Sequence, residues 1–306
     1  MRARLDDRLA SMSTETANPN LAEIDRWPIE RAVGAMLEGQ QEAIVALESQ
    51  TGVIARAAEA AAERLAGNGR LAYAGAGTSG RIGVQDGVEL TPTFGWPEQR
   101  LAFLLAGGDA AMMRAVEGAE DDADAGQAAV GDAALGPGDV LIGIAASGRT
   151  PYTLGALQEA RARGCLTISL ACNADTPLLA AAEHPILLDT GSEAIAGSTR
   201  MKAGTAQKAA LNVLSTAIML RQGFVFRGLM VSMRISNAKL LTRGIAMVSE
   251  IAGVGEAEAR AALERAGKDI RTAVLVALGM GLEDARARIA KAPRDFAGLV
   301  EGMRGR

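Results

Sequence analysis

Histidine, cysteine and aromatic residues are scarce in this chain of 306 residues. The single histidine, His184, stands alone and no Cys-x-x-Cys pair occurs, so we expect no metal site built from nitrogen or sulfur ligands. No Walker A loop is present, which argues against a P-loop nucleotide site. The Gly-x-Ser-x-Gly turn of serine hydrolases is also absent, which argues against catalysis by a Ser-His-Asp triad. Aromatic residues make up 3% of the chain, so aliphatic side chains must fill its core.

The chain also lacks the marks of export. Its two cysteines, Cys165 and Cys172, bound one apolar run. Extended chain would hold them roughly 23 Å apart, which is too far for a disulfide and suits a reducing compartment. Residues 1–20 contain no apolar signal segment, and no apolar run of about 18 residues occurs. We therefore expect a cytoplasmic protein with no membrane partner.

Neither sign of charge is in excess, since 32 basic residues face 36 acidic ones. No basic stripe is present, and residues 30–66 lack the basic surface of a helix-turn-helix, so we expect no nucleic-acid partner. An anionic ligand would have to be held by local groups. Apolar residues make up 49% of the chain, which is enough for a large core.

The middle of the chain alternates short apolar runs with helical patterns. The runs occupy 70–76, 101–107, 140–146, 166–172 and 186–189. The first four are continuously apolar, which is typical of parallel strands covered on both faces by helices. The pattern predicts an α/β fold with a doubly wound, five-stranded parallel sheet.

The flanking regions have other patterns. Residues 1–29 are polar and predict an extended arm, whereas apolar residues at three- and four-residue spacings from Ile29 to Leu65, such as Val33, Leu37 and Ile44, predict helix. A long helix is predicted from Ser198 to Leu220. We expect three regions: an arm and helix over 1–55, the sheet domain over 56–228, and a small all-helical domain over 229–306.

Loops rich in glycine, serine and threonine follow three of the strands: Gly77–Arg81, Ser147–Thr150 and Gly197–Arg200. Ligands of open parallel sheets bind outside the carboxyl ends of the strands. Hydroxyl groups and free amides at a helix start suit a phosphate monoester. In any one loop the hydroxyls could equally be helix caps. Three such loops at one edge favour a binding site.

The first loop also contains a dinucleotide fingerprint, Gly-x-Gly-x-x-Gly, at Gly75, Gly77 and Gly80. That interpretation requires an acidic residue about 20 positions later to hold a ribose. Asp109 comes late and follows two glycines, and the Ser147–Thr150 loop would be left without a role. A dinucleotide cofactor is therefore disfavoured.

Carboxylates are the remaining candidates for acid–base chemistry. Glu89 stands in the helix that follows the first loop, among Val88, Leu90 and Pro92, and partial burial there would suit a general acid. A second acidic group contains Glu117, Glu120, Asp121 and Asp122. Composition alone favours a solvated acidic surface at a helix start for this group.

Five segments together resemble the N-acetylmuramic acid 6-phosphate etherase family of the sugar isomerase (SIS) domain superfamily. They are TETANPNLAEID, GAGTSGR, AVEGAED, GIAASGRTPY and GSTRMKAGTAQK. The matching positions extend from Thr14 to Leu240, and the final helical region resembles the family's ubiquitin-associated-like (UBA-like) tail. Gly87, Phe94 and Ala196 depart from the family's usual residues, which bears on pocket shape rather than on reaction class.

The resemblance implies a lyase that releases D-lactate and N-acetylglucosamine 6-phosphate, needs no cofactor, and works as a homodimer with its site near the subunit interface. It implies two catalytic residues, Glu89 as the proton donor and Glu120. It places phosphate-binding hydroxyls at Thr78, Ser79, Ser147 and Thr150, with Ser198 and Lys202 as further candidates.

Two other functions use the same fold. A sugar-phosphate sensor like the SIS-type glucokinase regulator would bind its ligand without chemistry. An aldose–ketose isomerase would also move a proton at C2 but would release no lactate. The presence of both Glu89 and Glu120 argues against the sensor.

Overall fold

The protein is described by a computed structural model over residues 13–304. It forms two compact units, and the three boundaries between them fall inside two α-helices and one 3₁₀ turn, Glu98–Arg100. The first unit contains the described residues up to Gly87 together with Gln99–Ser215, and the second contains Val88–Glu98 and the described residues from Thr216 onward. The three predicted regions stay predictions.

A parallel sheet forms the centre of the first unit. Its strands are β1 (Leu71–Gly75), β2 (Leu101–Leu105), β3 (Val140–Ile144), β4 (Leu166–Ala171) and β5 (His184–Leu187). Their order in the sheet is β2-β1-β3-β4-β5, and all neighbouring pairs are parallel. Every residue of β1, β3 and β4 is buried, as expected for parallel strands that are covered on both faces. The predicted five-stranded parallel sheet is confirmed.

Seven α-helices begin in the described part of this unit. They are α1 (Ile29–Val45), α2 (Thr51–Arg64), α3 (Gly77–Phe94), α4 (Ala123–Asp132), α5 (Pro151–Ala162), α6 (Pro177–Ala181) and α7 (Lys202–Arg221). Helices α4 and α5 meet backbone to backbone, because a Cβ atom at Gly155 would lie 2.3 Å from the carbonyl oxygen of Ala123. This close packing fixes the segment before α4 against the helix that follows the Ser147–Thr150 loop.

The N-terminal arm is not extended in its described part. Three 3₁₀ turns follow one another, at Ser13–Glu15, Pro19–Leu21 and Ile24–Arg26. Asn18 caps the second turn by accepting a hydrogen bond of 3.0 Å from the amide of Asn20, and Pro19 supplies a suitable φ at its first position. The prediction of an extended arm is wrong over 13–28, and residues 1–12 lie outside the described part.

The helical pattern from Ile29 to Leu65 is confirmed, but a turn at Glu48–Gln50 divides it into α1 and α2. Helix α2 buries its apolar side and contacts β4 and β5. Helix α1 differs, since Ile29 is 77% exposed and Leu37 is 58% exposed. Ala32 and Ala43 are buried, but most large apolar side chains of this helix line an exposed surface of the chain rather than its core.

The second unit is built from helices. It contains the ends of α3 and α7 together with α8 (Ala238–Ala252), α9 (Glu256–Arg265), α10 (Ile270–Ala277), α11 (Leu282–Lys291) and α12 (Phe296–Arg304). Phe226 and Phe296 meet edge to face in its core at 5.5 Å between ring centroids. A helical C-terminal region is confirmed, and the UBA-like assignment stays a prediction. Within residues 13–304, no helix has both the length and the apolar character needed to cross a membrane.

Candidate active site

The first loop places the start of α3 directly after β1. A single residue, Ala76, separates Gly75 from Gly77. The turn is tight, because a Cβ atom at Gly80 would lie 2.7 Å from the carbonyl oxygen of Gly75. The amides of Thr78 and Ser79 have no acceptor among the described residues, so the first turn of α3 offers free N–H groups at the sheet edge.

Ser79 and Gln207 link this loop to α7. The hydroxyl of Ser79 donates a hydrogen bond of 3.0 Å to Oε1 of Gln207. Both side chains are buried, and Nε2 of Gln207 has no hydrogen-bond partner among the described residues. Gln207 was not among the residues predicted from the sequence, and its only signal there is its place in the segment GSTRMKAGTAQK.

The second loop brings together two predicted residues. Oγ of Ser147 lies 3.5 Å from Oγ1 of Thr150, and it also accepts a hydrogen bond of 3.1 Å from the amide of Arg149. Gly148 has a φ of 64°, and a Cβ atom there would lie 2.4 Å from the hydroxyl of Thr176. Thr150 precedes α5 but its side chain does not cap that helix. Helix capping therefore does not account for the Thr150 hydroxyl.

The third loop is held by a residue that sequence analysis missed. Helix α7 begins at Lys202 rather than at Ser198, and its first amides bond to the buried carboxylate of Glu193. Oε2 accepts from the amide of Lys202 at 2.9 Å, and Oε1 accepts from that of Ala203 at 3.0 Å. The half-buried Ser198 lies in the turn before the helix and is not needed as its cap.

Lys202, a further candidate for phosphate, has a partner of its own. Its ammonium lies 2.6 Å from a carboxylate oxygen of Glu42 on α1. The side chain is buried, whereas that of Glu42 is exposed. In this chain Lys202 joins α7 to α1.

The N-terminal arm contributes to the same edge of the sheet. Thr14 is fully buried, and its hydroxyl accepts a hydrogen bond of 3.0 Å from the side-chain amide of Asn173, just after β4. The carbonyl oxygen of Thr14 accepts from the amide of Gly197 at 3.0 Å. The turn Ser13–Glu15 therefore connects the end of β4 with the third loop.

The two candidate carboxylates are exposed. Glu89 lies on α3, and the expectation that its neighbours bury it is wrong for this chain, because Leu90 points inward while Val88 is 46% exposed. Glu120 lies in a 3₁₀ turn, Ala119–Asp121, that contacts α5. Neither has an ion-pair partner among residues 13–304.

Within the acidic group, Asp122 has the helix-start role that composition favoured. Its carboxylate accepts a hydrogen bond of 2.8 Å from the amide of Ala125 and so caps α4. Within residues 13–304, Glu120 caps no helix in this way. The capping explanation therefore accounts for Asp122 and leaves Glu120 free for another role.

A buried carboxylate, Asp86, lies on α3 three residues before Glu89 and was not singled out by sequence analysis. It accepts hydrogen bonds from the hydroxyl of Tyr73 at 2.8 Å, the amide of Asn212 at 2.7 Å and the hydroxyl of Ser215 at 3.1 Å. Burial raises the pKa of Asp86, although these hydrogen bonds and the charge of Lys208 oppose the shift. The pKa of Tyr73 lies well above its ordinary value because of burial beside Asp86. The cluster ties α3 to β1 and α7.

Comparisons with known proteins agree with the fold of the sheet unit. Residues 53–161 match the glucokinase regulatory protein N-terminal SIS domain, and residues 121–217 match the SIS domain. A Bacteroides fragilis protein, described as a candidate phosphosugar isomerase involved in capsule formation, superposes with a TM-score of 0.51 at 20% identity. The superposition covers 66% of this chain and 95% of that protein. At this identity it shows a shared fold alone.

Two curated relatives carry the same name, N-acetylmuramic acid 6-phosphate etherase. The protein from Deinococcus radiodurans is 48% identical over 277 residues, which cover 90% of this chain and 91% of the relative. The protein from Rubrobacter xylanophilus is 44% identical over 301 residues, which cover 98% of this chain and 100% of the relative. Identity at this level over nearly the whole length shows that the chain belongs to the N-acetylmuramic acid 6-phosphate etherase family.

Proposed function

We propose that the protein cleaves the D-lactyl ether of N-acetylmuramic acid 6-phosphate and releases D-lactate and N-acetylglucosamine 6-phosphate. The observation that carries this proposal is the 48% identity to a relative named for that activity, over 90% of the chain. The reaction serves peptidoglycan recycling or the use of exogenous muramic acid. We place it in the cytoplasm.

The phosphate of the substrate binds at the sheet edge, to hydroxyls and amides of the first two loops. Thr78 and Ser79 supply the free amides at the start of α3. Ser147 and Thr150 supply hydroxyls 3.5 Å apart, close enough to bond to one phosphate group. Ser198 is a further hydroxyl from the third loop. The phosphate is remote from the ether and supplies binding energy that can be used in the transition state.

The chemistry is an elimination followed by a hydration. The substrate's free anomeric centre opens to an aldehyde, which makes the C2 hydrogen acidic. A base removes that proton, the electron pair forms the C2–C3 double bond, and the C3–O bond breaks as lactate leaves with a proton from an acid. Water then adds across the double bond, with its oxygen at C3 and a proton at C2.

Two carboxyl groups suit these steps, because one must donate a proton while the other accepts one. Glu89 protonates the departing ether oxygen and then helps water to add. Glu120 removes the C2 proton. Both are free of ion pairs within the described residues, which suits groups that must change protonation during turnover.

The functional unit is a homodimer. The exposed apolar side chains of Ile29, Val33 and Leu37 support this proposal, because their four-residue spacing places them on one side of α1 and exposed apolar patches mark association sites. A second copy of the chain would cover them.

The first test is incubation of the purified protein with N-acetylmuramic acid 6-phosphate, without added metal or nucleotide, followed by an assay for D-lactate. Stoichiometric D-lactate and N-acetylglucosamine 6-phosphate are expected. Binding of the sugar phosphate with no lactate would instead support the sensor, and ketose formation without lactate would support the isomerase.

The catalytic roles are tested by Glu89→Gln and Glu120→Gln. Each should lower kcat by about 10²-fold or more, as loss of a general acid or base does. Glu120→Gln should also slow exchange of the C2 hydrogen with deuterated water. Glu117→Gln, in the same acidic segment, is the matched control and should keep wild-type activity. Wild-type lactate release by Glu89→Gln would refute its role as the acid.

A further inference from the structure

The hydrogen bond from Ser79 to Gln207 uses the only hydrogen of the Ser79 hydroxyl. A serine hydroxyl has one hydrogen, and that of Ser79 is donated to Oε1 of Gln207. A phosphate dianion only accepts hydrogen bonds. With this bond in place, the hydroxyl of Ser79 has no hydrogen left for a phosphate at the first loop.

The surroundings of Gln207 suggest how this is resolved. Its side chain is 0% exposed, and Nε2 has no partner among the described residues. An unpaired buried donor is unfavourable. The oxygen and nitrogen of a carboxamide have nearly the same size, so a half turn of the amide exchanges them with little change of shape. In either orientation one atom of the Gln207 carboxamide is unpaired. Hydrogen bonds within the described residues therefore do not decide which orientation the carboxamide adopts.

We propose that Gln207 is a positioning residue that sets the direction of the Ser79 hydroxyl and thereby the affinity of the site for a sugar phosphate. When phosphate binds, the amide turns, Nε2 donates to Oγ of Ser79, and Ser79 donates its hydrogen to a phosphate oxygen. Without ligand, Ser79 donates to Gln207. The inference rests on the proposed phosphate site of the first loop.

Such a relay has a clear physical advantage. The two consecutive hydrogen bonds, from amide to hydroxyl and from hydroxyl to phosphate, point in the same direction. Consecutive hydrogen bonds of this kind strengthen one another. The ligand selects the second orientation because only that orientation offers it a donor. Gln207 acts through Ser79 and need not touch the substrate.

A double-mutant cycle between Ser79→Ala and Gln207→Met tests this. The measurement is Kd for N-acetylglucosamine 6-phosphate by calorimetry, with KM and kcat for lactate release and a melting temperature for each variant. Ser79→Ala should raise Kd by about tenfold, as loss of one hydrogen bond to a charged group does. Gln207→Met should raise it several-fold, and the double variant should bind no more weakly than Ser79→Ala. Gln158→Met, on the exposed side of α5, is the control and should bind like wild type.

Gln207→Glu gives an independent test that does not depend on the methionine variant folding. At high pH the introduced carboxylate can only accept a hydrogen bond, so the Ser79 hydroxyl donates to it and not to the phosphate. The Kd should then rise by about tenfold or more. At lower pH the protonated carboxyl group can donate to Oγ of Ser79, which leaves the Ser79 hydrogen for the phosphate. The ratio of variant to wild-type Kd should therefore fall toward one. The corresponding ratio for Ser79→Ala should not change with pH. A merely structural role would lower the melting temperature without this difference.

The outcomes are distinct from those for the reaction itself. Independent, multiplicative effects of the two substitutions would overturn the inference, as would wild-type affinity of Gln207→Glu at every pH. A wild-type protein that binds the product but releases no D-lactate would refute only the proposed activity. A wild-type protein that binds no sugar phosphate would overturn the site on which both depend.

Discussion

Replacing Glu193 by alanine should destabilise the first unit strongly. Its carboxylate is fully buried and accepts two hydrogen bonds from the first amides of α7, at 2.9 and 3.0 Å. A hydrogen bond to a charged group contributes about 1.5–3 kcal/mol. Two of them give about 3–6 kcal/mol, and the substitution also leaves two buried amides unpaired. Glu193→Gln should cost about half as much, because a carboxamide has one acceptor oxygen where the carboxylate has two.

The measurement is urea unfolding followed by circular dichroism, together with hydrogen exchange of peptides from α7. Exchange should accelerate in the first turns of α7 and change little in α9, which belongs to the second unit. Asp122→Ala is the matched control, because it removes a single exposed cap from α4 and should cost about 1 kcal/mol. A cost for Glu193→Ala no larger than that of the control would refute the reasoning.

Two further predictions concern other parts of the sheet unit. Asp86→Asn should flatten the pH dependence of stability: the pKa of Asp86 is raised above its ordinary value of 3.8 by burial, so the folded state holds more protons and wild-type stability falls as pH rises through that range. Urea unfolding from pH 4 upward checks this, and equal slopes for both proteins would contradict it. Gly148→Ala should lower kcat/KM for lactate release at least tenfold, because φ is 64° and the new Cβ atom would meet Thr176 at 2.4 Å. Gly136→Ala, which meets no neighbouring atom within 4 Å, should keep wild-type kinetics.

The sheet could be predicted from the sequence because strands that are buried on both faces appear as short runs of mainly apolar residues. Strands β1 and β3 are continuously apolar, β4 is apolar except for Thr167 and Ser169, and all three are fully buried. The prediction located each within two residues of its observed ends. The helical period of α1 was equally clear. Its burial could not be predicted, since periodicity shows which residues share one side of a helix but not what covers that side.

The candidate site was predictable only where its residues are close in sequence. The Ser147–Thr150 loop carries its hydroxyls within four positions and follows a recognisable strand. Ser79 and Gln207 are separated by 128 positions, and Asp86 and Ser215 by 129. No local pattern can pair such residues. The exposure of Glu89 was missed for a related reason, because apolar neighbours along the chain need not lie on the same side of a helix as the residue between them.

The bond between the N-terminal arm and the end of β4 has a consequence for biosynthesis. Ser13 and its acceptor Asn173 are 160 positions apart. At roughly 5–20 residues per second, about 8–30 s of translation separate them. During that interval neither Asn173 nor Gly197 has been synthesised, so Thr14 lacks both of its hydrogen-bond partners. The arm is therefore synthesised well before it can bind to the sheet domain. A ribosome that stalls before Asn173 would therefore hold a chain whose β1 and β3 are complete while its beginning still lacks a place to dock.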